Sequence, residues 1–186
     1  MFYSVSVSYT LSLFCSEMKK TVQKEVSPTN SGYPLDSTDL QILSLLQQNA
    51  RMTVKEIAEQ VHLTPTPVHE RIKRLEETGV IRQYAALLDP ASVRKSLMVI
   101  CYVSIRQHSK NAGIKFIKAI QEMNEVIECY NISGEFDFML KVVAENMDSY
   151  YNFHVNKLSQ IENMGQVQSV FVMGVIKDTH VLVGSD

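Results

Sequence analysis

The most informative stretch of the chain is residues 53–79, which read TVKEIAEQVHLTPTPVHERIKRLEETG. Thr53 and Glu56 have the spacing of a capping box, which marks the start of a helix. Thr64 followed by Pro65 marks a second start, because Thr suits the N-cap and Pro suits the first helical position. A short helix, a tight turn and a second helix are typical of the helix-turn-helix, whose second helix lies in the DNA major groove.

One more helix precedes this pair, and an extended segment follows it. Asp36 can cap a helix whose leucines fall on one face and which ends near Asn49. Residues 80–88 have an extended pattern that Asp89-Pro90 interrupts. We therefore expect a short strand or wing there, and a domain boundary near residue 90.

The second half of the chain predicts the order strand, helix, strand, strand, helix, strand, which is the ferredoxin-like order. These segments are Leu97 to Ile105, Asn111 to Met123, Val126 to Ile132, Phe136 to Val143, Met147 to Ile161 and Val167 to Val175. Residues 177–183 can add a terminal strand. The sequence thus predicts an α+β chain with a mobile extension over residues 1–34, a winged helix-turn-helix domain over 35–90 and a ferredoxin-like domain over 91–186.

Composition and charge exclude several classes of protein. Hydrophobic residues make up 45% of the 186 residues and charged residues 20%, which suits a chain with a packed core. The formal net charge of −2 gives no overall attraction to nucleic acid, so any DNA contact has to be local. No apolar run is long enough to span a membrane.

The cysteines and the first residues favour the cytoplasm. Cys15, Cys101 and Cys129 are odd in number and have no CxxC spacing, so neither a disulfide framework nor a thiolate metal site is indicated. Residues 1–14 are apolar but lack the basic segment that opens a signal peptide. We expect residues 1–17 to reflect a start codon assigned too far upstream, and not a leader.

Helical phase gives the candidate DNA contacts on the helix after Thr64. Because Val68, Ile72 and Leu75 form its buried stripe, Thr66, Glu70, Lys73 and Arg74 point away from it, with His69 beside them. The full candidate set is Thr64, Thr66, Pro67, His69, Glu70, Arg71, Lys73 and Arg74.

The residues of this set differ in the contacts they suit. Those in the first turn suit base edges, whereas Lys73 and Arg74 suit phosphates or guanine. Arg71 lies on the flank, where it reaches a phosphate or pairs with an acid such as Glu76 or Asp39.

The same helix also fits a solvated charged face, and the charge count of its domain favours binding as an assembly. Residues 34–90 hold six basic and eight acidic residues, a balance of −2. One such domain neutralises few phosphates, so useful DNA binding needs at least two copies. We therefore expect a homodimer or a higher homo-oligomer.

Several motifs carry a resemblance to a known family. They are Leu35-Asp36 with Asp39 and Ile42-Leu43, Leu46-Gln47 with Asn49-Ala50-Arg51, Leu63 to Val68, Arg71 to Glu76 with Gly79-Val80-Ile81, Leu88-Asp89-Pro90 and Ser133 to Phe138. Over about residues 35–183 the chain resembles the Lrp/AsnC family, the leucine-responsive and asparagine-responsive regulators. The resemblance implies a DNA-binding domain, an effector domain that also assembles the subunits, and control of transcription by amino acids. His62 departs from the family, which usually has Gly in that turn.

The resemblance also implies an effector site. Similar proteins bind small amino acids in a cleft between effector domains of neighbouring subunits, lined by the Gly134-Glu135-Phe136-Asp137 loop and the start of a helix. This implies a site made of Asn131, Ser133, Gly134, Asp137, Met147, Val170, Phe171 and Val172. Taken without the family, Gly134 and Asp137 fit a loop in which the carboxylate only satisfies backbone amides.

No residue pattern indicates catalysis, a metal or a cofactor. We therefore expect a cytoplasmic transcriptional regulator that binds double-stranded DNA and an amino-acid-like effector. Two alternatives stay open. One is a tetrapyrrole (siroheme-type) decarboxylase with the same two-domain shape, and the other is a sensing module that binds a protein partner instead of DNA.

Overall fold

A computed structural model describes residues 34–107 and 109–184. Of these, residues 87–175 form one compact unit, and residues 34–86 together with 176–184 form the other. We call them the sheet unit and the helical unit. The extension predicted over residues 1–34 lies outside the described residues, apart from Pro34.

The helical unit contains the three predicted helices, α1 (Ser37–Gln48), α2 (Val54–Gln60) and α3 (Pro65–Glu77). Capping boxes start the first two. The Asp39 backbone N–H donates to Asp36 Oδ1 at 2.8 Å, and the Thr53 N–H donates to Glu56 Oε2 at 2.7 Å. The apolar faces of the helices meet in one buried cluster, made of Ile42, Leu46, Ile57, Ala58, Val68 and Leu75.

A buried carboxylate joins α1 to α3. The Asp39 side chain is 0% exposed, and its Oδ1 accepts from Arg71 at 2.7 Å and from Arg74 at 3.4 Å. Arg71 also donates to Asp36 Oδ2 at 2.6 Å. The Asp39 N–H and the Arg71 guanidinium lower the pKa of the Asp36 carboxyl, so Asp36 stays ionised below its usual pH range. The Asp36–Arg71 ion pair is therefore present above that lowered pKa and is lost as the pH falls through it.

The segment after α3 differs from its prediction. Gly79 takes a φ of +72° and turns the chain out of the helix. Residues 80–88 are described, and none of them forms part of a strand. The Tyr84 hydroxyl instead donates to Glu76 Oε1 at 2.8 Å, and burial raises the pKa of Tyr84 to about 12. An extended segment needs a neighbouring strand to form a ladder, and this segment packs back on α3 instead.

The sheet unit has the predicted βαββαβ order. Its elements are β1 (Leu97–Ile105), α4 (Lys110–Gln121), β2 (Val126–Asn131), β3 (Phe138–Ala144), α5 (Met147–Asn156) and β4 (Met164–Phe171). The four strands lie in the order β2-β3-β1-β4, with every neighbouring pair antiparallel. Both helices contribute to one core against the sheet, which includes Phe116 and Phe153 with Val99, Val103 and Leu140.

The last strand begins and ends earlier than predicted. It starts at Met164 and ends at Phe171, whereas the sequence pattern placed it at residues 167–175. Gly165 permits the early start, because a Cβ there would lie 2.7 Å from Ser104 Oγ and 2.9 Å from the Ser104 carbonyl oxygen. Residues 177–183, predicted as a possible terminal strand, form none. Residues 176–184 belong to the helical unit, whereas the sequence-based boundary placed them in the ferredoxin-like domain.

We expect Asp39→Asn to lower the free energy of unfolding by about 1–3 kcal/mol, because the Arg71 guanidinium loses the charge of its buried acceptor. Urea denaturation measures the loss. Glu77→Gln is the surface control, since its carboxylate lies 3.9 Å from Lys73 Nζ in an exposed pair and should change stability by less than about 0.5 kcal/mol. Equal effects of the two substitutions would show that the buried network does not stabilise the unit.

Candidate DNA-binding helix and effector-binding residues

The outer face of α3 carries the residues expected to touch DNA. Thr66, His69, Glu70 and Lys73 are all exposed, while Val68 on the opposite face is fully buried. The Lys73 ammonium group lies 3.9 Å from Glu77 in a loose pair, so it is available to a phosphate.

The start of the helix presents further candidates. Thr64 is exposed at the N-cap position, Pro65 begins the helix and Pro67 is half-buried. The Thr64 side chain makes no capping hydrogen bond to α3 in the described structure. A DNA phosphate can accept hydrogen bonds from the backbone N–H groups at such a helix start.

Two arginines of the candidate set point inward. Arg71 is held by Asp36 and Asp39, so of the two roles that helical phase left open, the structure has the ion pair and not a phosphate contact. Arg74 approaches the same Asp39 carboxylate at 3.4 Å, although 40% of its side chain is exposed. Arg71 therefore positions α3. Arg74 lies between the Asp39 carboxylate and the outer face of the helix.

The turn between α2 and α3 contains the residue that departs from the family pattern. His62 takes a φ of +55°, in the left-handed region where Gly is usual. The Leu63 N–H donates to the Ala58 carbonyl oxygen at 3.0 Å and closes the turn. The helix-turn-helix geometry is thus kept with a strained residue in the turn.

The candidate effector residues form two groups at opposite ends of the sheet. Phe138 begins β3 beside the loop 132–137, and Ala144 ends β3 shortly before Met147. Six strand steps separate those two ends, or about 20 Å. The loop group is Asn131, at the end of β2, with Ser133, Gly134 and Asp137 of the loop, and the residues near the other end are Met147, Val170, Phe171 and Val172. A free amino acid is too short to touch both groups within one chain.

Asp137 connects its loop to β1 through hydrogen bonds. Its Oδ2 accepts from the Ile105 N–H at 2.7 Å, at the point where the β1 register shifts. Its own N–H donates to the Val103 carbonyl oxygen at 2.9 Å, and its carbonyl oxygen accepts from the Asn131 amide at 2.9 Å. The Asp137 carboxylate thus accepts from a backbone amide, which is the role that the loop sequence suggests when the family resemblance is set aside.

The rest of the loop is open. Ser133 and Gly134 are exposed, and a Cβ built on Gly134 would meet no atom within 4 Å. The φ of Gly134 is +129°, so the backbone conformation, and not crowding, favours glycine there.

The second group borders a polar relay that the sequence did not indicate. The Tyr150 hydroxyl lies within hydrogen-bond distance of Ser169 Oγ and 3.2 Å from Cys101 Sγ, which joins α5 to β4 and β1. The Phe171 ring packs edge-on against Tyr150 at 5.5 Å between centroids. Burial raises the pKa of both Tyr150 and Cys101, so this relay stays neutral. Tyr150 could not be identified beforehand, because its partners lie on distant strands.

Neither a metal cluster nor a membrane helix occurs among the described residues. No group of three or more His, Cys, Asp or Glu side chains there is placed to hold a metal ion. Within the same part of the chain, every helix is too short or too polar to cross a bilayer.

We expect Asp137→Ala to lower the free energy of unfolding by about 1–3 kcal/mol, because the Ile105 N–H loses its acceptor. Asp137→Asn keeps an amide oxygen in place and should cost less. Thermal or urea unfolding of both variants measures the difference. If Asn is as damaging as Ala, then the charge matters and not the hydrogen bond.

Comparison with known proteins gives matches over both units. The family model described as winged helix-turn-helix DNA-binding matches residues 35–82, and the Lrp/AsnC ligand binding domain matches residues 98–182. A leucine-responsive regulatory protein from Haemophilus influenzae is 34% identical over 166 residues, 89% of this chain and 99% of its own. The DNA-binding transcriptional activator DecR of Escherichia coli is 33% identical over 145 residues, 78% of this chain and 95% of its own.

A solved structure agrees with these relatives. A transcriptional regulator from Neisseria meningitidis, in complex with L-Met, superimposes with a TM-score of 0.76 at 39% identity. The match covers 79% of this chain and 95% of the neisserial chain.

Proposed function

Because the chain belongs to the Lrp/AsnC family of transcriptional regulators, we propose that the outer face of α3 contacts the DNA bases and that an amino acid controls this binding. The protein is a DNA-binding regulator and not an enzyme. None of the relatives named above supports the decarboxylase alternative. The finer assignments below are proposals for particular residues.

The observation that carries the proposal is the orientation of α3. The Asp39 carboxylate holds Arg71 on the inner flank, which leaves Thr66, His69 and Glu70 exposed on the opposite side. The first turn of a recognition helix lies nearest the base edges, so these three residues suit base contact. Lys73, one turn further along, suits a phosphate.

Charge supports binding by at least two copies. The acidic excess over residues 34–90 opposes DNA, and the Arg71 charge is already neutralised by two carboxylates. A single helical unit thus offers few cations to phosphates, and affinity depends on how many it neutralises. We infer a homodimer or larger homo-oligomer whose units bind successive half-sites. A protein that acts on DNA in this way belongs in the cytoplasm.

The effector site is proposed to be shared between subunits. The loop group and the group around Met147 lie about 20 Å apart in one chain, a distance that a second copy can close. The loop offers the Gly134 backbone in open space, and the other group offers exposed apolar surface on Val170 and Phe171. Backbone polar groups suit the charged ends of an amino acid, and apolar residues suit its side chain. The neisserial relative binds L-Met, which makes L-Met the first effector to test.

We expect Lys73→Ala to weaken binding to all DNA sequences, because it removes a phosphate contact. The slope of log K against log salt should fall by about 0.9 for each lost contact, hence by about 1.8 for two copies. His69→Ala and Glu70→Ala should instead change the preference between two selected duplexes by about 1–3 kcal/mol. Titration of labelled duplexes at several salt concentrations measures both effects.

The control for these variants is Lys118→Ala, which removes an exposed lysine of α4 in the sheet unit and should leave DNA affinity unchanged. Equal losses on every duplex for Lys73, His69 and Glu70 variants would exclude base reading by α3. An unchanged affinity in all three would exclude α3 as the DNA-binding helix.

We expect a shared effector site to recover when two defective chains are mixed. Gly134→Val strains the loop of one chain, and Met147→Trp fills the other half-site of the second chain. Each variant alone should bind no L-Met, while random reassociation should restore about a quarter of the sites, because half of the dimers are mixed and each holds one intact site. Isothermal titration measures the capacity. A site contained in one chain would show no recovery on mixing.

A further inference from the structure

Residues 176–184, which we call the return segment, dock on helix α1. The Leu182 N–H donates to Gln47 Oε1 at 2.6 Å, and Gln47 Nε2 donates to the Val183 carbonyl oxygen at 3.5 Å. One side-chain amide thus engages a donor and an acceptor of the same main chain, much as a neighbouring strand would. Leu182 and Val183 follow Gln47 in the sequence by 135 and 136 positions, so these are long-range contacts. Neither hydrogen bond belongs to a helix or a sheet.

The return segment also forms one wall of a groove on α1. The groove has a volume of about 480 Å³ and is lined by Val183 of the return segment, by Leu40 and Gln41 of α1 and by Gln60 of α2. Its lining is apolar or carries uncharged amides and hydroxyls, a surface that suits an extended main chain.

The docking leaves the DNA-contacting surface of the helical unit open. Asp39 points toward α3, and at 100° per residue the groove residues Gln41 and Ser44 lie roughly 140–200° away from it around α1. The groove therefore lies on the side of α1 opposite to α3. A segment bound there restrains the helical unit without competing with DNA.

The chain connects the two units twice. It leaves the helical unit after residue 86 and re-enters it at residue 176. The return segment follows β4 closely: the Val172 N–H still donates to the Met98 carbonyl oxygen at 3.0 Å, and only residues 173–175 separate it from Ile176. Met173 and Ile176 are 99% and 98% exposed, so little packing holds this connection in place.

We propose that the return segment is a strap that couples the effector group on β4 to the helical unit through Gln47. The inference rests on the proposed function, because it takes an effector bound beside Val170, Phe171 and Val172 as the input. A shift of this strand end reaches Leu182 through at most ten residues of chain. Such a shift changes the equilibrium between the docked and the free state of the return segment. The affinity of the helical unit for DNA then changes, because the docked segment restrains this unit.

The strength of the docking suits a switch. The Leu182 to Gln47 hydrogen bond, at ordinary net strength, changes an equilibrium by roughly 2- to 13-fold, which overlaps the range of about 5- to 150-fold that is usual for coupling between two binding sites. A weaker contact would not hold the helical unit, and a much stronger one would not release on effector binding.

The docking itself is tested by hydrogen exchange on the full chain. Gln47→Leu keeps the size of the side chain and removes both its donor and its acceptor, so the Leu182 amide should exchange at least about twofold faster. Gln121→Leu is the matched control, because Gln121 is an exposed glutamine at the end of α4 in the sheet unit and its loss should leave Leu182 unaffected. Unchanged exchange in Gln47→Leu would overturn the docking. Protection that disappears on dilution to the monomer would assign the segment to a second copy and overturn a strap within one chain.

The coupling is tested by DNA affinity with and without a millimolar mixture of the twenty standard amino acids. In Gln47→Leu and in a chain that ends at Val175 the docked state is lost, so each variant should show a single DNA affinity, that of the free return segment, with or without the mixture. Their ratio of affinities with and without the mixture should move to near one. A ratio equal to that of the unmodified chain would overturn the strap. If the unmodified chain ignores the mixture or fails to bind DNA, then the proposed function is wrong, while hydrogen exchange still decides the docking.

Discussion

The position of the recognition helix depends on one buried carboxylate. Asp39 has no access to solvent, and a buried charge is tolerated only with charged or hydrogen-bonding partners close by. Arg71 of α3 is the charged partner of Asp39. Its guanidinium also pairs with Asp36, the N-cap residue of α1. This network fixes the rotation of α3 about its own axis, because an apolar stripe alone would allow the helix to roll. The choice of outward residues on α3 follows from that rotation.

The sequence predicted those features that depend on neighbours in the chain. The caps at Asp36 and Thr53 and the order of the strands were correct, because hydrogen bonds three residues apart and a change of apolar period are local signals. The α+β fold, the Lrp/AsnC family and the class of function are likewise confirmed. The start of β4 was predicted wrongly, since Gly165 is a weak strand residue until its close approach to Ser104 is known.

The candidate sites could be predicted only as sets of residues. Whether Arg71 contacts a phosphate or an acid depended on Asp39, 32 positions earlier, and helical phase allowed both. Asp137 depended in the same way on the Ile105 amide. The return segment gave no signal at all, because Gln47 is an ordinary helix residue until the main chain that it binds is known. Long-range partners of single polar side chains are therefore the part of this molecule that sequence patterns do not contain.

The two-part composition of the helical unit has a consequence for its synthesis. The ribosome completes α1, α2 and α3 about 100 residues before it makes residues 176–184, while residues 87–175 of the sheet unit emerge between them. At roughly 5–20 residues per second, this delay amounts to several seconds. During that time the nascent chain carries its three helices with the groove on α1 uncovered. A chaperone or a neighbouring nascent chain can reach the groove in that interval, and subunits made on one messenger have the opportunity to exchange return segments before each chain closes on itself.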